Sequence, residues 1–76
     1  MSDYLKVQFE GVGTQRLIDL LTNEEWEVVG APCSGLLIIY ADVKLSKKLH
    51  ATIWKHNGGM CCVVTPIDAD TADQYL

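Results

Sequence analysis

The residues of this chain best suited to chemistry are Cys33, Cys61 and Cys62, together with His50 and His56. Thiolates and imidazoles are the ligands of zinc and of softer metals, and an activated thiolate is a nucleophile or a redox centre. The spacing argues against a structural zinc site. No pair has the roughly two-to-four-residue gap that lets one turn present two ligands. Cys61 and Cys62 are adjacent, so in a strand they point to opposite faces, and one is expected in the core as a small hydrophobe. The reading therefore assigns no cofactor and no metal, with a thiol or metal carrier kept as an alternative. An odd set of cysteines does not make a disulfide framework, and residues 1–4 lack the basic and apolar segments of a signal peptide. Three reduced thiols in a cytoplasmic protein are expected.

The second candidate is Gly11-Val12-Gly13-Thr14-Gln15-Arg16. A glycine-rich turn running into a helix start offers unpaired N–H groups and the positive end of the helix dipole, which together can cradle an anion. Gly11, Gly13 and Arg16 are its candidate anion-binding residues. Here the chain resembles the acylphosphatase family, which has a Val-Gln-Gly-Val-Gly-Phe-Arg-like loop after its first strand. The likeness is confined to residues 11–16, and Arg16 stands one residue later than the family's arginine. It implies a shared βαββαβ order and, as an alternative function, a small phosphate-ester or acyl-phosphate hydrolase with Arg16 gripping the phosphate. The plain alternative is a turn that needs glycine beside an exposed arginine.

Pro32-Cys33-Ser34-Gly35 could present a nucleophile, with His50 or His56 as base, but it is above all a good turn sequence. No carboxylate within residues 43–67 could orient either histidine locally.

Charge is divided unevenly. Residues 43–67 hold Lys44, Lys47, Lys48 and Lys55 and no carboxylate, a formal +4. The rest sets ten carboxylates against Lys6 and Arg16, a formal −8, and the sum is the net −4. A polarised surface of this kind orients a charged partner. Four lysines without arginine, on an acidic chain, make nucleic acid an unlikely partner, although Trp54 lies among them. Glu24, Glu25 and Glu27, around Trp26, form an acidic group fitted to a basic partner surface. Trp26, Trp54 and Tyr40 are the candidate anchors.

The elements that must position these groups follow from periodicity. Residues 4–10 alternate as a strand with Leu5, Val7 and Phe9 on one face. Thr14 is a good N-cap, and Leu17, Ile18 and Leu21 mark a helix over residues 15–22. Residues 26–30 read as a strand and residues 31–35 as a turn. Residues 36–41 are apolar on both faces, as in a central strand. Residues 45–59 allow two readings. As a helix, Ser46 caps it, Leu45, Leu49 and Ile53 stack, and Asn57-Gly58 ends it. As a strand, Asn57-Gly58 becomes a hairpin turn into residues 60–65. Ser46, Leu49 and Ile53 repeat the spacing of Thr14, Leu17 and Leu21, which favours the helix. Residues 62–65 are a last strand closed by Pro66, and Asp70 could cap one further helical turn.

One α+β domain over residues 1–76 follows: an antiparallel sheet with helices on one face, in the ferredoxin-like βαββαβ order. The alternative is one helix on a five-stranded antiparallel sheet. A domain of this size has a small core, and a homodimer would enlarge it. No apolar run is long enough to span a bilayer. The expected function is non-enzymatic binding of a macromolecule, as a small cytoplasmic adaptor or inhibitor of a protein partner. Phage-encoded inhibitors of host defence, including anti-CRISPR proteins, are similar in size, acidity and lack of motifs, a likeness that covers no defined residues.

Overall fold

The computed structural model describes residues 3–76; Met1 and Ser2, part of the stretch read above for a leader, lie outside the described residues. The chain runs β1 (Tyr4–Phe9), α1 (Thr14–Asn23), β2 (Glu27–Cys33), β3 (Leu36–Tyr40), a 3-10 turn (Val43–Leu45), α2 (Ser46–His56), β4 (Cys62–Ile67) and α3 (Ala69–Tyr75). The four strands form one antiparallel sheet in the order β2-β3-β1-β4. Two βαβ halves interleaved in this way are consistent with a ferredoxin-like fold. Ser46–His56 is helical, so the single-helix, five-stranded alternative does not hold.

Alternation decides which face each strand residue serves. Leu5, Val7, Phe9, Leu37, Ile39 and Cys62 join Leu17, Leu21, Leu49 and Ile53 in the main core beneath α1 and α2. The matched spacing of the two helices thus delivers one buried pair from each. Ile38 and Ile67 face the other way and are covered by α3 through its buried Ala72. Helices on one face describes α1 and α2 only. The third helix lies across the opposite face, where Leu76 sits over Gly30 and Lys6 stacks on the Tyr75 ring at 5.8 Å. Gly30 has no room for a Cβ beneath Leu76.

The helix ends differ in detail from the sequence reading. Gly13, not Thr14, is the N-cap of α1, without a side-chain bond to the helix. The Thr14 hydroxyl instead accepts from Gly35 N–H at 3.0 Å, tying the helix start to the β2–β3 turn. Leu45, not Ser46, caps α2, because the Asp42 carboxylate takes the capping role one turn earlier, on Lys44 N–H at 2.9 Å. Asp68, not Asp70, caps α3, accepting from Thr71 N–H at 2.7 Å. β2 continues through Pro32 to Cys33, with register shifts along it, since an edge strand tolerates a residue that cannot donate. β4 likewise runs through Pro66.

Candidate functional site

Helix α2 separates two surfaces. Successive residues turn about 100° around a helix, so Leu49 and Ile53 point to the sheet while Leu45, Lys48 and Thr52 face α1. The latter line an open cleft of about 320 Å³ whose other wall is Glu24, Glu25 and Trp26, at the turn between α1 and β2. Glu25 holds a left-handed φ of 71°, which turns the chain sharply enough to bring Trp26 back against the core. His56 Nε2–H donates to the Glu24 carboxylate and joins the C-terminal ends of the two helices. That hydrogen bond, with the charges of His56 and Lys55, holds the Glu24 carboxyl below its ordinary range.

The acidic group and the basic segment therefore meet in space. Glu24 is engaged by His56, and Lys48 shares the cleft with Glu24 and Glu25. The separation of charge along the sequence is partly cancelled at this corner. A depressed carboxylate stabilises the fold above its unfolded pKa and loses that effect as the pH falls through its folded one. Glu24→Gln should accordingly be less stable than the parent at pH 6. The gap in melting temperature should close as the pH falls below roughly 4.

The six candidate binding residues do not form one site. Glu24, Glu25 and Trp26 line the cleft. Glu27 is opposite Tyr40 on the β2–β3 ladder, on the sheet face away from α1 and α2. Tyr40 is edge-on to Tyr4 with ring centroids 5.2 Å apart. Trp54 is on the far flank of α2, 54% exposed. The edge of its ring rests on Gly59, where a Cβ would lie 3.3 Å from the ring and the φ of 82° favours glycine. Met60, 49% exposed, follows directly and covers Gly11.

The glycine loop has a structural explanation in half. A Cβ at Gly11 would lie 2.8 Å from the Asn57 carbonyl oxygen and collide with the Met60 side chain. Gly13 meets nothing within 4 Å and has an ordinary extended backbone. Arg16 is exposed on α1. Asn57, only 2% exposed, donates from Nδ2 to the Met60 carbonyl at 2.9 Å, while its Oδ1 has no hydrogen-bond partner among the described residues. Sequence reasoning assigned Asn57 to the helix end and missed that it anchors the loop beneath Gly11. The only signal was an amide in a turn otherwise made of glycines.

The three cysteines are unpaired. Cys33 and Cys61 lie on opposite outer strands or their extensions, so with about 4.8 Å per strand they are too far apart for a disulfide. Cys62 is buried with its thiol toward the His50 carbonyl, and burial raises its pKa. Cys61 and Ser34 share a second cleft, of about 360 Å³, with Gln8, Phe9, Glu10, Gly35 and Val63. Neither histidine lines it. Among the described residues no His, Cys, Asp or Glu group of three or more is arranged to hold a metal ion. A thiol reagent should label Cys33 and Cys61 in the folded protein and reach Cys62 only on unfolding. Mass spectrometry counts the adducts directly.

Among the described residues, no helix is long and apolar enough to cross a membrane. Comparison with known proteins found no matching family model, no similar curated protein and no similar solved structure.

Proposed function

We propose that this domain is a non-enzymatic protein-binding module, a small adaptor or inhibitor that meets its partner through the outer flank of α2. The observation that carries the reading is Trp54, more than half exposed, with its ring on Gly59 and the exposed Met60 the next residue along the chain. Tryptophan and methionine are enriched at protein interfaces, and a tryptophan held on a rigid element is a common energetic anchor. Lys47 stands on the same outward flank of the helix, in a stretch without a carboxylate between residues 43 and 67. The partner surface that fits is apolar at its centre and acidic around it. Glu24 and Glu25 at the cleft remain a second contact surface for a basic partner, weakened by the neighbouring Lys48 and His56.

Affinity capture from the native cell, with wild type and variants side by side, tests the reading. Trp54→Ala should leave the fold intact, as its circular dichroism will show. It should weaken binding about thirtyfold, the loss of about 2 kcal/mol typical of an interface anchor. Glu27→Lys should retain the partner. Equal capture by wild type and Trp54→Ala would move the interface off α2.

A further inference from the structure

The outer edge of β4 is free of strand partners among the described residues, since β4 ends the sheet. Its hydrogen-bonding groups can be assigned. Glu10 N–H donates to the Cys61 carbonyl at 3.0 Å, which fixes that pair as hydrogen-bonded. In an antiparallel ladder such pairs alternate. Gln8 with Val63 and Lys6 with Thr65 therefore exchange the inner bonds. The N–H and C=O groups of Cys62 and Val64 point outward, as does the donorless nitrogen of Pro66. Proline is tolerated at that position for this reason. Natural edge strands are commonly blunted by lysine, bulges or proline. Here residues 61–65 carry no charge, no bulge and no proline, and only Pro66 closes the row.

What stands above this edge is equally specific. Helix α2 packs on β4, and the Cys62 thiol donates to the His50 carbonyl at 3.9 Å. With Lys48 and Thr52 turned to α1 and Leu49 and Ile53 to the sheet, the helical rotation sends Lys47, His50 and Trp54 to the remaining side. They form one stripe at i, i+3 and i+7, on the flank above the free edge. A strand added about 4.8 Å beyond β4 would send alternate side chains toward that stripe and the others over Val63.

We propose that the β4 edge takes up an extended acidic segment of a partner protein by strand addition, with carboxylates facing Lys47 and His50 and an apolar side chain facing Trp54. The inference rests on the protein-binding reading and names its mode. Backbone pairing to Cys62 and Val64 supplies the alignment, and the side-chain stripe supplies the choice. Charge decides between occupants. A second copy of this chain would bring its own Lys47 against the same stripe, whereas an acidic segment is attracted to Lys47 and can accept a hydrogen bond from the His50 ring. Glu10 pairs with Cys61 on the inner side of β4, away from the added strand, and Asp68, which follows β4, has its carboxylate on Thr71 N–H of α3.

The test uses the whole domain labelled with nitrogen-15 and capped synthetic peptides. The acidic probe is Glu-Val-Glu-Val-Leu-Val, whose first, third and fifth side chains share one face, and its control replaces each glutamate by lysine. The acidic peptide should shift the Cys62 and Val64 amides and the Trp54 indole, and slow amide exchange at residues 62 and 64 at least tenfold at saturation. N-methylation of one alternating set of its amides should abolish binding, and methylation of the other set should not. Lys47→Glu should weaken binding about three- to tenfold. The proposal is overturned if the edge amides do not respond at millimolar peptide, or respond equally to the lysine control. Edge shifts that grow with protein concentration alone would make a second copy the occupant and overturn the acidic segment. Shifts confined to Lys47, His50 and Trp54, without slowed exchange on β4, would overturn strand addition and leave the protein-binding reading standing.

Discussion

Replacing Gly11 by alanine is expected to destabilise the domain by about 2–5 kcal/mol, while the same change at Gly13 leaves it folded. Gly11 holds φ at 90°, outside the range an L side chain adopts comfortably. A left-handed backbone alone costs roughly 1–2 kcal/mol. The new methyl would also press on the Asn57 carbonyl oxygen at 2.8 Å and on the Met60 side chain. Methionine can move, but Asn57 cannot move cheaply. Its N–H is bonded to the Ile53 carbonyl at 2.8 Å, and the residue is buried. Overpacking of this kind costs about 1–3 kcal/mol. A domain of this size holds only about 3–5 kcal/mol in total, so Gly11→Ala should lose a large part of its stability. Urea denaturation of both variants measures the contrast. A Gly11→Ala protein as stable as its parent would mean that the loop does not pack on residues 57–60 as described.

Ile53→Ala is expected to cost about 2–5 kcal/mol, the range for truncating a fully buried aliphatic side chain. Ile53 has no solvent exposure and belongs to the main core with Leu49, Leu17 and Leu21. Its position is one helical turn from Leu49, so the pair holds α2 on the sheet and, through it, the Lys47, His50 and Trp54 flank. Lys47→Ala, on the exposed side of the same helix, should change stability by less than about 0.5 kcal/mol. The thermal melts of these two variants separate a buried stripe from a solvated one. Equal losses would place residue 53 outside the core.

Much of the frame that positions this flank is legible in the sequence, for a physical reason. Alternation over residues 4–10 and the repeated helical spacing of Leu17 with Leu21 and Leu49 with Ile53 report burial directly. The two-faced apolar run at residues 36–41 marks an internal strand, and Leu37, Ile38 and Ile39 are all buried. The same run held a clue to α3, because Ile38 needs a cover on the face that α1 and α2 leave bare. The helix itself is too short to show periodicity, and Ala72 and Tyr75, with Leu76 just beyond it, bring it to the sheet. Caps were misplaced where a nearby carboxylate, Asp42 or Asp68, reached the helix start first.

The candidate site was less legible. Charge was grouped correctly along the chain, but Glu24 and His56, separated by 32 residues, meet across two helices. The acidic and basic groups are therefore neighbours rather than poles. Trp26 and Trp54 look alike in sequence. One packs against the core from the α1–β2 turn and the other stands outside, a difference set by helix orientation rather than by local pattern. Free and bonded sides of β4 depend on which residues of β1 lie opposite, and Pro66 is the single residue whose chemistry hinted at the outcome.

The claim that the outer flank of α2 meets a protein partner is tested most directly by photo-crosslinking in the native cell. Benzoylphenylalanine in place of Trp54 should yield one discrete protein adduct, and the same residue in place of Gln15, exposed on α1, should yield none. Adducts from position 15 with none from position 54 would contradict the claim.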